Sequence, residues 1–148
     1  MLEEGAKVTI YNQIGSNGTG VRIEAFANET PGLVPVLARL SHQDPSVDHA
    51  FYCSPEVHHI AKMPREGGFC GYRNIQMMIS YIREARAPGY KHFPGKTPSI
   101  IRLQDMIEYA WDMGFNSSGR IETGGIRLTR KYIGTPEAQA LFNSLGIP

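Results

Sequence analysis

Gly67-Gly68-Phe69-Cys70-Gly71-Tyr72-Arg73-Asn74 sets two glycines and an aromatic ahead of a cysteine, and an apolar pattern of helical period starts directly behind it. Ile75, Met78, Ile79 and Ile82 fall at i, i+3, i+4 and i+7, which predicts a helix with one face turned inward. Cys70 then sits in the first turn of that helix, behind a flexible glycine turn. Unpaired N–H groups and the positive end of the helix dipole favour a thiolate over a thiol at such a position. The same N–H groups can hold a developing oxyanion.

Upstream, Lys7–Tyr11 and Val21–Phe26 alternate in polarity around a stretch rich in glycine and asparagine, so residues 1–30 read as a hairpin or N-terminal extension. Thr30-Pro31-Gly32 breaks that pattern, and Leu33, Val36, Leu37 and Leu40 then predict a short helix ending before Asp44-Pro45. From Ala50 to Ile60 comes a strand-like piece, Phe51-Tyr52-Cys53, followed by Val57-His58-His59-Ile60. Lys62–Glu66 is the polar loop that delivers the chain to the cysteine.

Downstream, the breaker cluster Ala87–Gly95 is a loop. Ser99 is placed to cap a helix whose stripe is Ile100, Leu103, Ile107, Ala110 and Trp111, with Gly114 as the residue that ends it. Phe115–Ile126 reads as loop with at most a short strand. Arg127, Arg130 and Lys131 form a small basic cluster, read as a solvated face or a contact for an acidic partner. The last helix starts at Thr135-Pro136, with Thr135 as cap, turns Ala138, Leu141, Phe142 and Leu145 inward, and stops at Gly146.

The bulk properties limit what the chain can do. A length of 148 residues makes one domain, and 41% hydrophobic with 20% charged residues gives it a real core. A net charge of +1, with no aromatic interleaving of the basic residues, points away from nucleic acid. No apolar run approaches the roughly 18 residues of a membrane span, and the acidic Met1-Leu2-Glu3-Glu4 start is not a secretory signal. Two cysteines make no disulfide framework, so a reducing compartment, cytoplasmic or nuclear, is expected. Cys53 with His49, His58 and His59 lacks the paired close spacing of a zinc site, and neither a metal nor another cofactor is expected.

The octet around Cys70 resembles the nucleophile motif of the papain-fold cysteine peptidases that cleave ubiquitin and ubiquitin-like modifiers. The resemblance continues through Ile75-Gln76-Met77-Met78-Ile79-Ser80 and Ile100–Gly114, then Thr129-Arg130-Lys131-Tyr132-Ile133-Gly134 and on to Leu145. It is closer to the ubiquitin-chain peptidase branch than to the modifier-specific branch. It implies an α+β, papain-like fold present in part, with residues 31–148 as the N-terminal part of the catalytic domain. The helices, with the Cys70 helix central, would pack on one side of a sheet. It further implies Cys70 as nucleophile, and ubiquitin or a ubiquitin-like modifier and its conjugates as partners. Some relatives place a side-chain donor, commonly a tyrosine, upstream of the nucleophile to assist the oxyanion hole; His58 is offered for that role.

Thiol proteolysis also needs a base and a residue that orients it. Papain-like enzymes carry the histidine roughly 130–150 residues after the cysteine, whereas 78 of the 148 residues follow Cys70. Of His42, His49, His58, His59 and His92, only His92 lies downstream, and it sits in the proline- and glycine-rich loop. The expectation is therefore a peptidase domain cut before its histidine and aspartate. The alternative is an inactive protein that binds ubiquitin-like modifiers or acts as a scaffold.

Overall fold

In the computed structural model, which describes residues 28–148, the apolar stripe behind Cys70 forms the central helix. Antiparallel strands β1 (Glu29–Thr30) and β2 (His59–Ile60) pair Glu29 with Ile60 and Thr30 with His59. Helix α1 (Leu33–Gln43) lies between them in sequence. Helix α2 (Cys70–Glu84) is followed by a 3-10 turn at Tyr90–His92, then α3 (Ile100–Asp112), α4 (Ser118–Thr123) and α5 (Thr135–Ser144). Helices with a small antiparallel sheet make the described region α+β. The two-stranded ladder is its one sheet among the described residues.

The core lies between α2, α3 and α5. Tyr72, Ile75, Ile79 and Ile82 from α2 meet Ile100, Leu103, Ile107, Ala110 and Trp111 from α3, and Ala140, Leu141 and Phe142 from α5. Each such large side chain contributes about 1.5–3 kcal/mol of burial, so the periodicity of α2 and α3 dominates the folding of this half. Ser99 caps α3 by accepting the Arg102 N–H at 3.2 Å, and Gly114 follows its end at φ 90°.

Several expectations need correction. Met78 is half exposed, and its place on the buried face of α2 is taken by Tyr72 and by the polar Arg73, Gln76 and Ser80. Phe51-Tyr52-Cys53 is not a strand, and Phe51 is 94% exposed. The stretch read as loop after Phe115 contains α4, whose Gly119 lets its backbone lie against the Trp111 ring. Gly134, not Thr135, precedes the first turn of α5; the Glu137 carboxylate accepts its N–H at 2.7 Å. The hairpin read over Lys7–Phe26 lies outside the described residues. Glu29 and Thr30, by contrast, pair with β2, and the Asn28 side-chain amide donates to the Ala61 carbonyl at 3.1 Å.

Candidate active site

Cys70 is the first residue of α2 and is exposed, while its neighbours Gly68 and Phe69 are buried. Phe69 occupies the cap position without a capping side chain. Among the described residues no side chain caps the N–H groups of that first turn. Phe69 points into the core and meets Tyr72 edge-on, with ring centroids 5.7 Å apart.

The glycines flanking Cys70 are required by what crosses over them. A β-carbon on Gly68 would stand 2.8 Å from the Arg130 carbonyl oxygen and 3.2 Å from the Tyr132 ring. One on Gly71 would stand 2.5 Å from the Ile133 carbonyl oxygen. The segment 130–133 thus runs across the cysteine turn at backbone contact distance. Arg130 donates to the Arg65 carbonyl and sets its guanidinium 6.0 Å from the Phe69 ring centroid. Tyr132, 71% exposed, forms the outer lip beside Gly68.

That crossing segment is held from α3. Gln104 donates to the Thr129 carbonyl at 2.9 Å and accepts the Leu128 N–H at 3.0 Å. Glu108 accepts the Ile126 N–H at 2.6 Å and pairs with Arg120 at 2.8 Å. Both side chains are buried. The basic cluster is engaged as well: Arg127 pairs with Asp105, and Lys131 donates to the carbonyls of Thr123 and Gly125. Both side chains are thus engaged within the chain.

A buried ion pair joins the residues that flank Cys70 in sequence. Glu66 is 1% exposed and Arg73 4%; Arg73 Nε donates to Glu66 Oε2 at 3.2 Å, and Nη2 meets Oε1. Arg73 Nη1 donates to Gln76 Oε1 at 2.9 Å, and Gln76 donates to the Pro98 carbonyl at 2.7 Å. Taking two charges out of water costs several kcal/mol per ion, and apolar replacements of such pairs are often neutral or stabilising by about 1–4 kcal/mol. Stability alone does not account for the pair.

The structure does not bring His58 to Cys70. Its N–H donates to Ser80 Oγ at 3.0 Å and its Nδ1 lies 2.7 Å from Glu29 Oε1. Ser80 is ten residues along α2, about 15 Å of helix axis from Cys70. Glu29 also accepts from Thr97, which in turn accepts from Arg83, so His58 belongs to a polar cluster toward the far end of α2. His92 lies in the 3-10 turn beyond that end and is exposed. His42 lies in the last turn of α1, His59 lies in β2 and His49 in the loop between them. Among the described residues none of the five imidazoles bonds to Cys70, and no group of three or more His, Cys, Asp and Glu side chains could hold a metal ion. An open groove of about 400 Å³ lined by Asp112, Arg120 and Arg127 contains no residue of the cysteine turn.

The model for peptidase family C78 matches residues 46–148, which include the whole of this site. The chain belongs to peptidase family C78. Among curated relatives of this C78 chain, zinc finger-containing ubiquitin peptidase 1 of Bos taurus is 31% identical over 130 residues, covering 86% of the chain and 22% of the relative. The Mus musculus protein of the same name is 28% identical over 129 residues, with the same coverage. Ubiquitin carboxyl-terminal hydrolase mug105 of Schizosaccharomyces pombe is 35% identical over 80 residues, 53% of the chain and 32% of the relative. The C78 chain thus spans about a fifth of the length of the first two relatives.

Glu66, Gln104 and Glu108 escaped sequence reasoning, and Arg73 and Gln76 entered it only as letters of a motif. Gln104 and Glu108 are four apart and directly follow Leu103 and Ile107, which sets them together along one edge of the apolar arc of the helix.

Proposed function

We propose that this chain carries the nucleophile of a cysteine-type peptidase acting on ubiquitin or ubiquitin-like conjugates, within a papain-like domain. The thiolate of Cys70 attacks the carbonyl carbon of the bond after the modifier's C-terminal residue. The resulting oxyanion is held by first-turn N–H groups of α2. The amine leaves with a proton from the conjugate acid of the base, giving a thioester, and water then releases the modifier and restores the thiol. The base and its orienting acid come from outside the described residues.

One observation carries the reading: the thiol is exposed at the start of a buried helix, on a turn whose two glycines are matched to a crossing backbone. The names of the relatives, both ubiquitin hydrolases, supply the substrate class. A ubiquitin whose C-terminus carries an alkyl bromide tests it, since the probe needs only a thiolate in reach. The expected result is one adduct that is lost in Cys70→Ser and kept in Cys53→Ser. Binding of the probe without any adduct would favour a non-catalytic ubiquitin-binding protein, and neither binding nor adduct would remove the substrate assignment.

A further inference from the structure

We propose that the buried Glu66–Arg73 pair is a positioning device that holds Cys70 ready for attack; this rests on reading Cys70 as the nucleophile. Glu66 stands four residues before the cysteine and Arg73 three after it, so their bond closes a ring around Cys70. Between Glu66 and Cys70 lie Gly67, at φ 68°, then Gly68 and Phe69. Two glycines give the turn room under Arg130 and Tyr132 but leave it loose, because glycine restrains its backbone least. The first turn of α2 also lacks a capping side chain, the condition under which helix ends fray.

The pair answers both weaknesses. Its carboxylate fixes the loop before the turn, where Arg65 occupies the left-handed region at φ 64° and lends its carbonyl to Arg130. The guanidinium fixes the second turn of α2, and its remaining N–H reaches Gln76, which is anchored on Pro98 at the entry to α3. The planar fork of Arg73 engages both oxygens of Glu66 and the Gln76 side chain in one fixed geometry, which the compact ammonium of a lysine does not reproduce. With the ring closed, the glycine turn and the first turn of the helix hold the exposed thiol in one place; with it open, the first turn frays and the thiol loses that place.

The test is alkylation by iodoacetamide, followed by mass spectrometry at Cys70 and Cys53 in the same molecule, in the parent and in Glu66→Leu/Arg73→Met. The double variant is expected to keep a cooperative unfolding transition and the near-ultraviolet signal of Trp111. Its Cys70 rate at pH 7 falls about tenfold, while the Cys53 rate is the same in parent and variant. Arg73→Lys keeps the charge but loses the fork, and gives an intermediate rate. A folded double variant with the parent's Cys70 profile overturns the proposal. Should the double variant not fold, an unchanged Cys70 profile in Arg73→Lys overturns it. A parent Cys70 that reacts no faster than Cys53 would instead count against an activated nucleophile, independently of ubiquitin.

Discussion

The carbonyl oxygen of Ile133 lies 2.5 Å from where a β-carbon on Gly71 would begin, so no side chain fits between the cysteine helix and the segment that crosses it. Helix propensity alone makes Gly71→Ala favourable by up to about 1 kcal/mol. The clash reverses the sign, because the obstacle is backbone and overpacking of this kind costs about 1–3 kcal/mol. Urea denaturation of Gly71→Ala is expected to show that net loss, together with slower alkylation of Cys70. A stabilised variant would mean that the 130–133 segment is free to move aside.

Glu108 is expected to be the most sensitive polar residue outside the cysteine turn. Its carboxylate serves the Ile126 N–H and Arg120 from a buried position. Glu108→Ala strands that amide, at about 1–3 kcal/mol for the unmet donor, and frees the loop that leads to Arg130. Glu108→Gln keeps an acceptor and loses less. Thermal melts of the two variants should rank Ala well below Gln.

Tyr72 links stability to alkaline pH. Burial pushes its phenol up to about 12 from the ordinary 10.0, partly offset by its bond with Gln104. The folded form holds its proton more tightly than the unfolded form. The contribution is therefore fully present below pH 10 and is lost as pH rises through about 12. Urea midpoints between pH 9 and pH 12, on the order of the range these values set, should fall more steeply for the parent than for Tyr72→Phe. Parallel curves would show that Tyr72 ionises freely in the folded state.

Trp111 carries a buried indole N–H without a hydrogen-bond partner among the described residues. Trp111→Phe removes that unmet donor, which offsets part of the lost apolar area, and should cost less than about 2 kcal/mol. Gly119→Ala is the harsher change, since its β-carbon would lie 2.9 Å from the same ring. Chemical denaturation of both variants checks the order.

The helices that build the core were legible because their apolar residues repeat at helical spacing. The bounds of α1, the cap at Ser99 and the stop at Gly114 all follow from local chemistry. Helix α4 was not legible: it is six residues long, polar, and held by Gly119 against Trp111, a contact that no local pattern encodes. At the site, the cysteine and its helix could be read directly. The crossing of 130–133 and the Glu66–Arg73 pair could not, because each joins residues whose proximity only the folded chain creates. His58 misled for the same reason: a strand-end histidine near the cysteine in sequence is carried by β2 to the third turn of α2.

The seat of the sulfur is assembled from stretches far apart along the chain, as the 65-residue separation of Arg65 and Arg130 records. A ribosome-bound chain that has emerged only through α2 lacks the strap that completes it. The turn around Cys70 therefore takes its final shape only when the later segment arrives.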